Sequence, residues 1–169
     1  MTGLGLDWDW KARGAAVAAA QKRLDGSREA ARVFHDAIDA AWPPGFFDSL
    51  GRLKLAAGGP EDVEVVLGFL EADPIFFRSG YMADKALRWI DRQPLTPDQQ
   101  QRLRAVLLDA LDRRHRQYFR RFCHLARRQA TPELRRGVEA RLASPDFEVR
   151  ARAQWMLDEM DEGARHRRY

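Results

Sequence analysis

The stretch from Arg113 to Pro132 holds the densest run of like charge in the sequence. It contains seven arginines and no acidic residue. A planar guanidinium binds carboxylates and phosphates through paired hydrogen bonds, so this run is typical of an anion-binding surface. The arginines that we expect to contact an anionic partner are Arg113, Arg116, Arg120, Arg121, Arg127 and Arg128. The alternative is a solvated helix face, because the chain uses 25 arginines and only 4 lysines.

A single helix over residues 113–128 is predicted to separate these charges from an apolar side. At about 100° per residue, the seven arginines and His124 fall within an arc of roughly 160°. We expect the opposite side to pack on the core, and its members are His115, Tyr118, Phe122, Leu125 and Ala126. If the helix breaks at its start, the arginines that stay on one side are Arg116, Arg120 and Arg127.

Patterns that support catalysis are scarce. His35 and Asp39 lie one helical turn apart and offer two metal ligands, but no third ligand follows at a helical spacing. Cys123 and His124 are adjacent, and adjacent side chains diverge by about 100° on a helix, so they do not form a nucleophile–base pair. The sequence has no glycine-rich phosphate loop, serine elbow or metalloprotease histidine pair. We therefore predict no catalytic residue, no metal site and no cofactor.

Helices must position these side chains, as the composition indicates. The 169 residues include 25 alanines and 25 arginines, which favour helix, against 14 valines, isoleucines and threonines together. This bias predicts an all-α protein. The length suits a single domain or one short repeat array.

Other features of the composition predict a cytoplasmic protein without membrane contact. The longest apolar run, at residues 15–20, is far shorter than the roughly 20 residues of a membrane span. The N-terminus lacks the basic and then apolar order of a secretory signal. The single cysteine, Cys123, rules out a disulfide framework within the chain.

Three helix starts of one type predict a repeated unit. Thr96-Pro97-Asp98 and Thr131-Pro132-Glu133 each combine a threonine N-cap, a first-turn proline and an acid, and Pro60-Glu61-Asp62 lacks only the threonine. The prolines are 37 and 35 residues apart, which is typical of helical-hairpin repeats. Positions six and ten residues after each proline share one helical face, and they hold Val66, Leu103 and Val138, then Leu70, Leu107 and Leu142.

The last unit resembles the HEAT-repeat family. After the turn Ser144-Pro145-Asp146, the family's pattern of Val-Arg, a small residue and then an aliphatic one is matched by Val149, Arg150, Ala153 and Leu157. Asp73-Pro74 with Phe77-Arg78 matches this pattern less well, and Phe119-Arg120 in the middle unit matches it least.

This resemblance implies a short right-handed α-solenoid in a single domain over residues 1–163. About four hairpins are expected, at residues 27–59, 60–96, 97–131 and 132–163, after an N-terminal capping helix and before a basic tail at 164–169. Trp89 and Trp155 lie in second helices of their units, where we expect core packing. The alternative is an irregular helical domain in which the proline spacing is accidental.

Charge and family resemblance together predict a binding function. Residues 1–96 have a net charge of −2 and residues 97–169 a net charge of +6. Helical-repeat arrays usually act as adaptors, so we expect a non-catalytic module that binds an acidic protein partner, as an adaptor or an immunity-type inhibitor. The alternative is binding to the nucleic-acid phosphate backbone, including a HEAT-like DNA glycosylase-type repair role, for which no catalytic carboxylate is identified.

Overall fold

A computed structural model describes residues 8–113 and 118–166, with side chains up to Glu162. Within these ranges all regular structure is helical and no strand is present, which confirms the all-α prediction. The helices are α1 (Trp10–Lys22), α2 (Arg28–Asp39), α3 (Phe46–Lys54), α4 (Pro60–Ala72), α5 (Ser79–Ile90), α6 (Pro97–Asp112), α7 (Phe119–Arg128), α8 (Pro132–Ala140) and α9 (Phe147–His166), with a 3₁₀ turn at Arg141–Ala143.

The predicted proline-type helix starts are confirmed at α4, α6 and α8. The Thr96 hydroxyl accepts the amide of Gln99 at 3.2 Å, and the Gln99 side chain accepts the amide of Thr96 at 3.1 Å. The Thr131 hydroxyl likewise accepts an amide at the start of α8. These bonds satisfy backbone donors that the first turn of a helix leaves without an internal partner.

Residues 1–93 form one compact unit, described from Trp8 onward. In it α1 packs on α2, while α3 packs on α4 and α5. The predicted hairpin at 27–59 contains α2 and α3, but α2 packs mainly on α1. The centre of the unit is a cluster of aromatic rings, whose centroids lie 4.8–6.5 Å apart, formed by Trp10, Trp42, Phe46, Phe69 and Phe76.

Residues 94–169 form a second compact unit, described at 94–113 and 118–166. Here α9 packs on α6, α7 and α8, and α6 also packs on α7 and α8. Fully buried side chains on three of these helices are Leu103, Leu107, Leu111, Leu134, Val138 and Met156. Because α9 runs to His166, the tail expected from residue 164 begins inside a helix, and residues 167–169 lie outside the described part.

Most of the predicted buried face is confirmed, with one exception. All five of the other predicted positions are buried, including Val66, Leu103 and Val138, but Leu142 is 38% exposed. The reason is that α8 ends at Ala140 and the chain tightens into the 3₁₀ turn, which takes Leu142 off the α-helical face.

The expected core position of Trp155 is also wrong. Its side chain is 43% exposed, because α9 buries the next residue, Met156, and adjacent side chains diverge by about 100°. Trp89, the other tryptophan expected in the core, is half-buried. None of the helices in the described ranges has the length and apolar character that crossing a bilayer requires.

Candidate anion-binding site

The predicted arginines do not lie on one helix. α6 extends to Asp112, and Arg113 has an extended backbone (φ −85°, ψ 164°), so the helix ends there. α7 begins at Phe119. The expectation of one helix over 113–128 is therefore wrong, because the helical segment that begins at Pro97 ends at Asp112 and Arg113 is extended. Arg116, like His115, falls outside the described residues.

The amphipathic character predicted for this region is confirmed in α7. Its buried side is formed by Phe119, Phe122, Cys123, Leu125 and Ala126, preceded by the buried Tyr118. Its other side carries Arg120 and Arg128, which are exposed, and Arg121, His124 and Arg127, which are half-buried. At about 100° per residue these five side chains span roughly 120° of the helix. We call the four arginines at 120, 121, 127 and 128 the α7 arginine face.

A carboxylate from another helix lies against this face. One oxygen of Glu159, on α9, is 2.8 Å from Nδ1 of His124 and 3.1 Å from a terminal nitrogen of Arg127. The Glu159 side chain is only 11% exposed. Burial of a carboxylate is costly unless cations or donors surround it. Arg127 and His124 therefore stabilise the buried Glu159 carboxylate, and Glu159 in turn fixes the positions of these two side chains.

Glu159 is not among the residues that the sequence pattern predicts for the site. It lies 32 residues after Arg127, and only the packing of α9 on α7 brings the two together. A signal does exist within α9, because Glu159 is three residues after Met156 and next to Met160, both of which are buried. An acid on the apolar face of a helix indicates a cation on the helix opposite.

The other predicted arginines have different surroundings. Arg113 pairs with Asp109 of its own helix at 3.2 Å. Arg121 and Arg128 also interact with groups of the protein. Arg120 is exposed and makes no ion pair with any residue in the described ranges. The α7 arginine face thus keeps its positive charge at Arg120 and is partly neutralised at Arg127.

The thiol at the base of the face is not reactive. Cys123 is completely buried, and this burial, helped by the negative charge of Glu159, raises the pKa of its thiol to about 12. Since the thiolate is the nucleophile, Cys123 is inert at neutral pH.

No candidate metal centre is found among the residues that the structure describes. His35 and Asp39 are both exposed on α2. A groove of about 440 Å³ lies between α1 and residues 72–75, and the charged residues in its lining are Lys11 and Asp73. An organic molecule in this groove would therefore depend mainly on apolar contacts.

Comparisons with protein-family models, curated proteins and solved structures found no match to this chain. The resemblance to HEAT repeats consequently stays a prediction.

Proposed function

We propose that this chain is a non-catalytic interaction module whose α7 arginine face binds an acidic protein partner. The observation that carries the proposal is the composition of α7, which has four arginines on its outer side and no acid among its ten residues. Carboxylates of a partner can bind such a surface through charge-assisted, paired hydrogen bonds. The face is about 12 Å long, which matches a local acidic cluster.

The arrangement of the other arginines favours a protein partner over nucleic acid. Elsewhere in residues 94–162 most described arginines pair with nearby carboxylates, in the pairs Arg102–Asp98, Arg113–Asp109, Arg135–Asp161, Arg136–Glu133, Arg141–Asp112 and Arg152–Glu148. A nucleic-acid backbone needs cations along an extended track. Here four arginines are clustered on one short helix, α7, which supports binding to a compact anionic surface.

We also propose the finer form of the fold, a right-handed α-solenoid of HEAT-like hairpins. Support comes from the packing of α4 on α5, α6 on α7 and α8 on α9, the three pairs of the predicted units after residue 60. Within the last unit, Val149, Ala153 and Leu157 are buried as a repeat helix requires. Arg150 donates to the carbonyls of Ser144 and Pro145 at 2.7 and 2.9 Å, which holds the turn before α9. An experimental structure of the full chain tests this proposal.

A binding assay with a matched control tests the function. The probe is a labelled Glu/Asp-rich peptide of about 15 residues. Its binding is measured by fluorescence anisotropy at about 50–300 mM salt. The test variant is R120A/R128A, which removes two exposed arginines and leaves the Arg127–Glu159 pair intact. The control is R32A/R136A, which removes two exposed arginines on α2 and α8.

We expect R120A/R128A to weaken peptide binding about tenfold, since each lost charge-assisted contact is worth roughly 0.5–1 kcal/mol at an exposed site. The control should lose less than twofold. No peptide binding at low salt, or equal losses in the two variants, would overturn the proposal. Tighter binding of duplex DNA that R120A/R128A abolishes would instead support the nucleic-acid alternative.

A further inference from the structure

Aromatic and basic side chains alternate on an exposed face around α5, in the first unit. We call this face the aromatic–basic strip, and its members are Lys54, Phe77, Arg78, Tyr81, Lys85 and Trp89. Tyr81, Lys85 and Trp89 follow each other at four-residue spacing, so they line about 12 Å of one side of the helix. Tyr81 is 59% exposed and Trp89 is half-buried.

Each ring of the strip has a cation close to it. The Lys85 ammonium is 4.2 Å from the ring centre of Tyr81 and 5.8 Å from that of Trp89. The Lys54 ammonium reaches Trp89 from α3, at 6.0 Å. The Arg78 guanidinium lies 5.2 Å from the ring centre of Phe77. Two of only four lysines in the chain therefore meet at one tryptophan.

Buried hydrogen bonds fix the end of the strip at Trp89. The side-chain amide of Gln93 donates to the carbonyl of Leu53 at 2.9 Å and to the carbonyl of Trp89 at 3.0 Å. Gln93 is buried, and its bond to Leu53 is shielded from water, while its bond to Trp89 is part-buried. They hold the last turn of α3 against the last turn of α5, and this is what places Lys54 beside Trp89.

The start of the strip has a strained backbone. Arg78 adopts a left-handed conformation (φ 65°, ψ 0°) just before α5, which is unfavourable for a residue with a Cβ. The turn is held by Ser79, whose buried hydroxyl donates to the carbonyl of Phe76 at 2.8 Å and accepts its amide at 3.1 Å. Strain that neighbouring bonds maintain is common at binding sites.

The cations of the strip are not neutralised locally. Among the described residues, Lys54, Arg78 and Lys85 make no ion pair, whereas Arg88 on the same helix pairs with Asp84 at 3.2 Å. The Lys85 ammonium lowers the pKa of Tyr81, and the charges of Arg78 and Arg88 lower it further. Cations therefore surround Tyr81, although residues 1–96 have a net charge of −2.

We propose that the aromatic–basic strip binds single-stranded nucleic acid, with bases stacked on Tyr81 and Trp89 and phosphates held by the lysines. Single strands present flat rings and regularly spaced negative charges together, and the strip offers a partner for each. An acidic peptide would use the cations and leave the rings without a role. A duplex hides the faces of its bases, so stacking favours the single strand.

The lysine composition provides a matched pair of variants. K54A/K85A removes the two lysines of the strip, and K11A/K22A removes the other two, both exposed on α1. A third variant, Tyr81→Leu, removes an exposed ring and no charge. Binding of a labelled oligo(dT) of about 12 nucleotides to the full chain is followed by anisotropy at several salt concentrations, and circular dichroism verifies folding.

The three variants should have different effects. For K54A/K85A we expect weaker binding, and the slope of log K against log salt should fall by about 1.4, because each single-strand phosphate contact contributes roughly 0.7. For Tyr81→Leu we expect about fivefold weaker binding or more, with the slope unchanged. K11A/K22A should resemble the wild type.

Three results would overturn the proposal. Equal slopes in the two lysine variants would mean that only overall charge matters. An unchanged affinity of Tyr81→Leu would exclude stacking. The strip would belong to a different partner if duplex DNA bound as tightly as oligo(dT). The same would follow if K54A/K85A and Tyr81→Leu lost as much affinity for a Glu/Asp-rich peptide as for oligo(dT).

Discussion

Replacing Asp62 with asparagine should destabilise the first unit in a pH-dependent way. Asp62 is buried at the start of α4, where its oxygens accept the Nε of Arg52 at 3.0 Å and the amide of Gly59 at 3.0 Å. It therefore fixes α3 to α4 and also caps α4, where a negative charge favours the helix dipole. Asparagine keeps the shape but loses the charge.

The pKa of Asp62 sets the size of the effect. Arg52 lowers it from 3.8 to about 2, and the Gly59 amide adds to this. At about 1.4 kcal/mol per pH unit, this difference is worth at most roughly 2.5 kcal/mol. Arg52 is 50% exposed, so water screens the pair, and we expect a loss of about 1–2 kcal/mol at pH 7.

The sign follows from the lowered pKa. The carboxylate stabilises the folded state fully above the unfolded pKa, and this contribution disappears as the pH falls from about 4 towards 2. Urea unfolding followed by tryptophan fluorescence reports mainly on the first unit, because four of the five tryptophans lie there. The stabilities of wild type and D62N should differ most at pH 7 and converge only as the pH approaches 2.

The matched control is Glu61→Gln, which removes the neighbouring acid from the same helical turn. Glu61 is exposed, so its loss should cost no more than about 0.5 kcal/mol. If D62N and E61Q are equally stable, or if D62N keeps the full acid sensitivity of the wild type, Asp62 does not hold the two helices together in the way described.

Two further predictions link stability to binding. Arg78→Gly should raise the free energy of unfolding by up to about 1 kcal/mol, because glycine accepts the left-handed backbone. The same variant should bind oligo(dT) more weakly. A urea titration measures the stability and the anisotropy assay measures the affinity. Glu159→Gln should lower the free energy of unfolding by about 1–2 kcal/mol, because it replaces a carboxylate that bonds His124 and Arg127. It should also tighten binding of the acidic peptide to the α7 arginine face. Unchanged peptide affinity would contradict the neutralising role of Glu159.

Local rules predicted the features of the fold that depend on neighbouring residues. The caps at Thr96 and Thr131 are hydrogen bonds across three residues, so the sequence contains all that decides them. The buried faces of α4 and α6 follow from helical periodicity in the same way.

Features that depend on distant residues were not predictable in this way. Glu159 meets Arg127 because α9 packs on α7, and Lys54 meets Trp89 because Gln93 joins the ends of α3 and α5. No periodicity within one helix encodes either contact. Leu142 differs for a local reason, because α8 ends at Ala140 and the 3₁₀ turn that follows takes Leu142 off the buried face that its spacing favoured.

Net charge is a poor guide to function here, because pairing decides which charges a partner meets. The second unit has the larger excess of arginine, but most of its arginines outside α7 bind carboxylates of the same unit. Residues 1–96 have a net negative charge, yet three cations in this part make no ion pair with any described residue and lie beside exposed or half-buried rings. The two proposals therefore separate experimentally: R120A/R128A should affect the acidic peptide alone, and Tyr81→Leu the single strand alone. If each variant instead weakened both probes equally, neither surface would be a specific site.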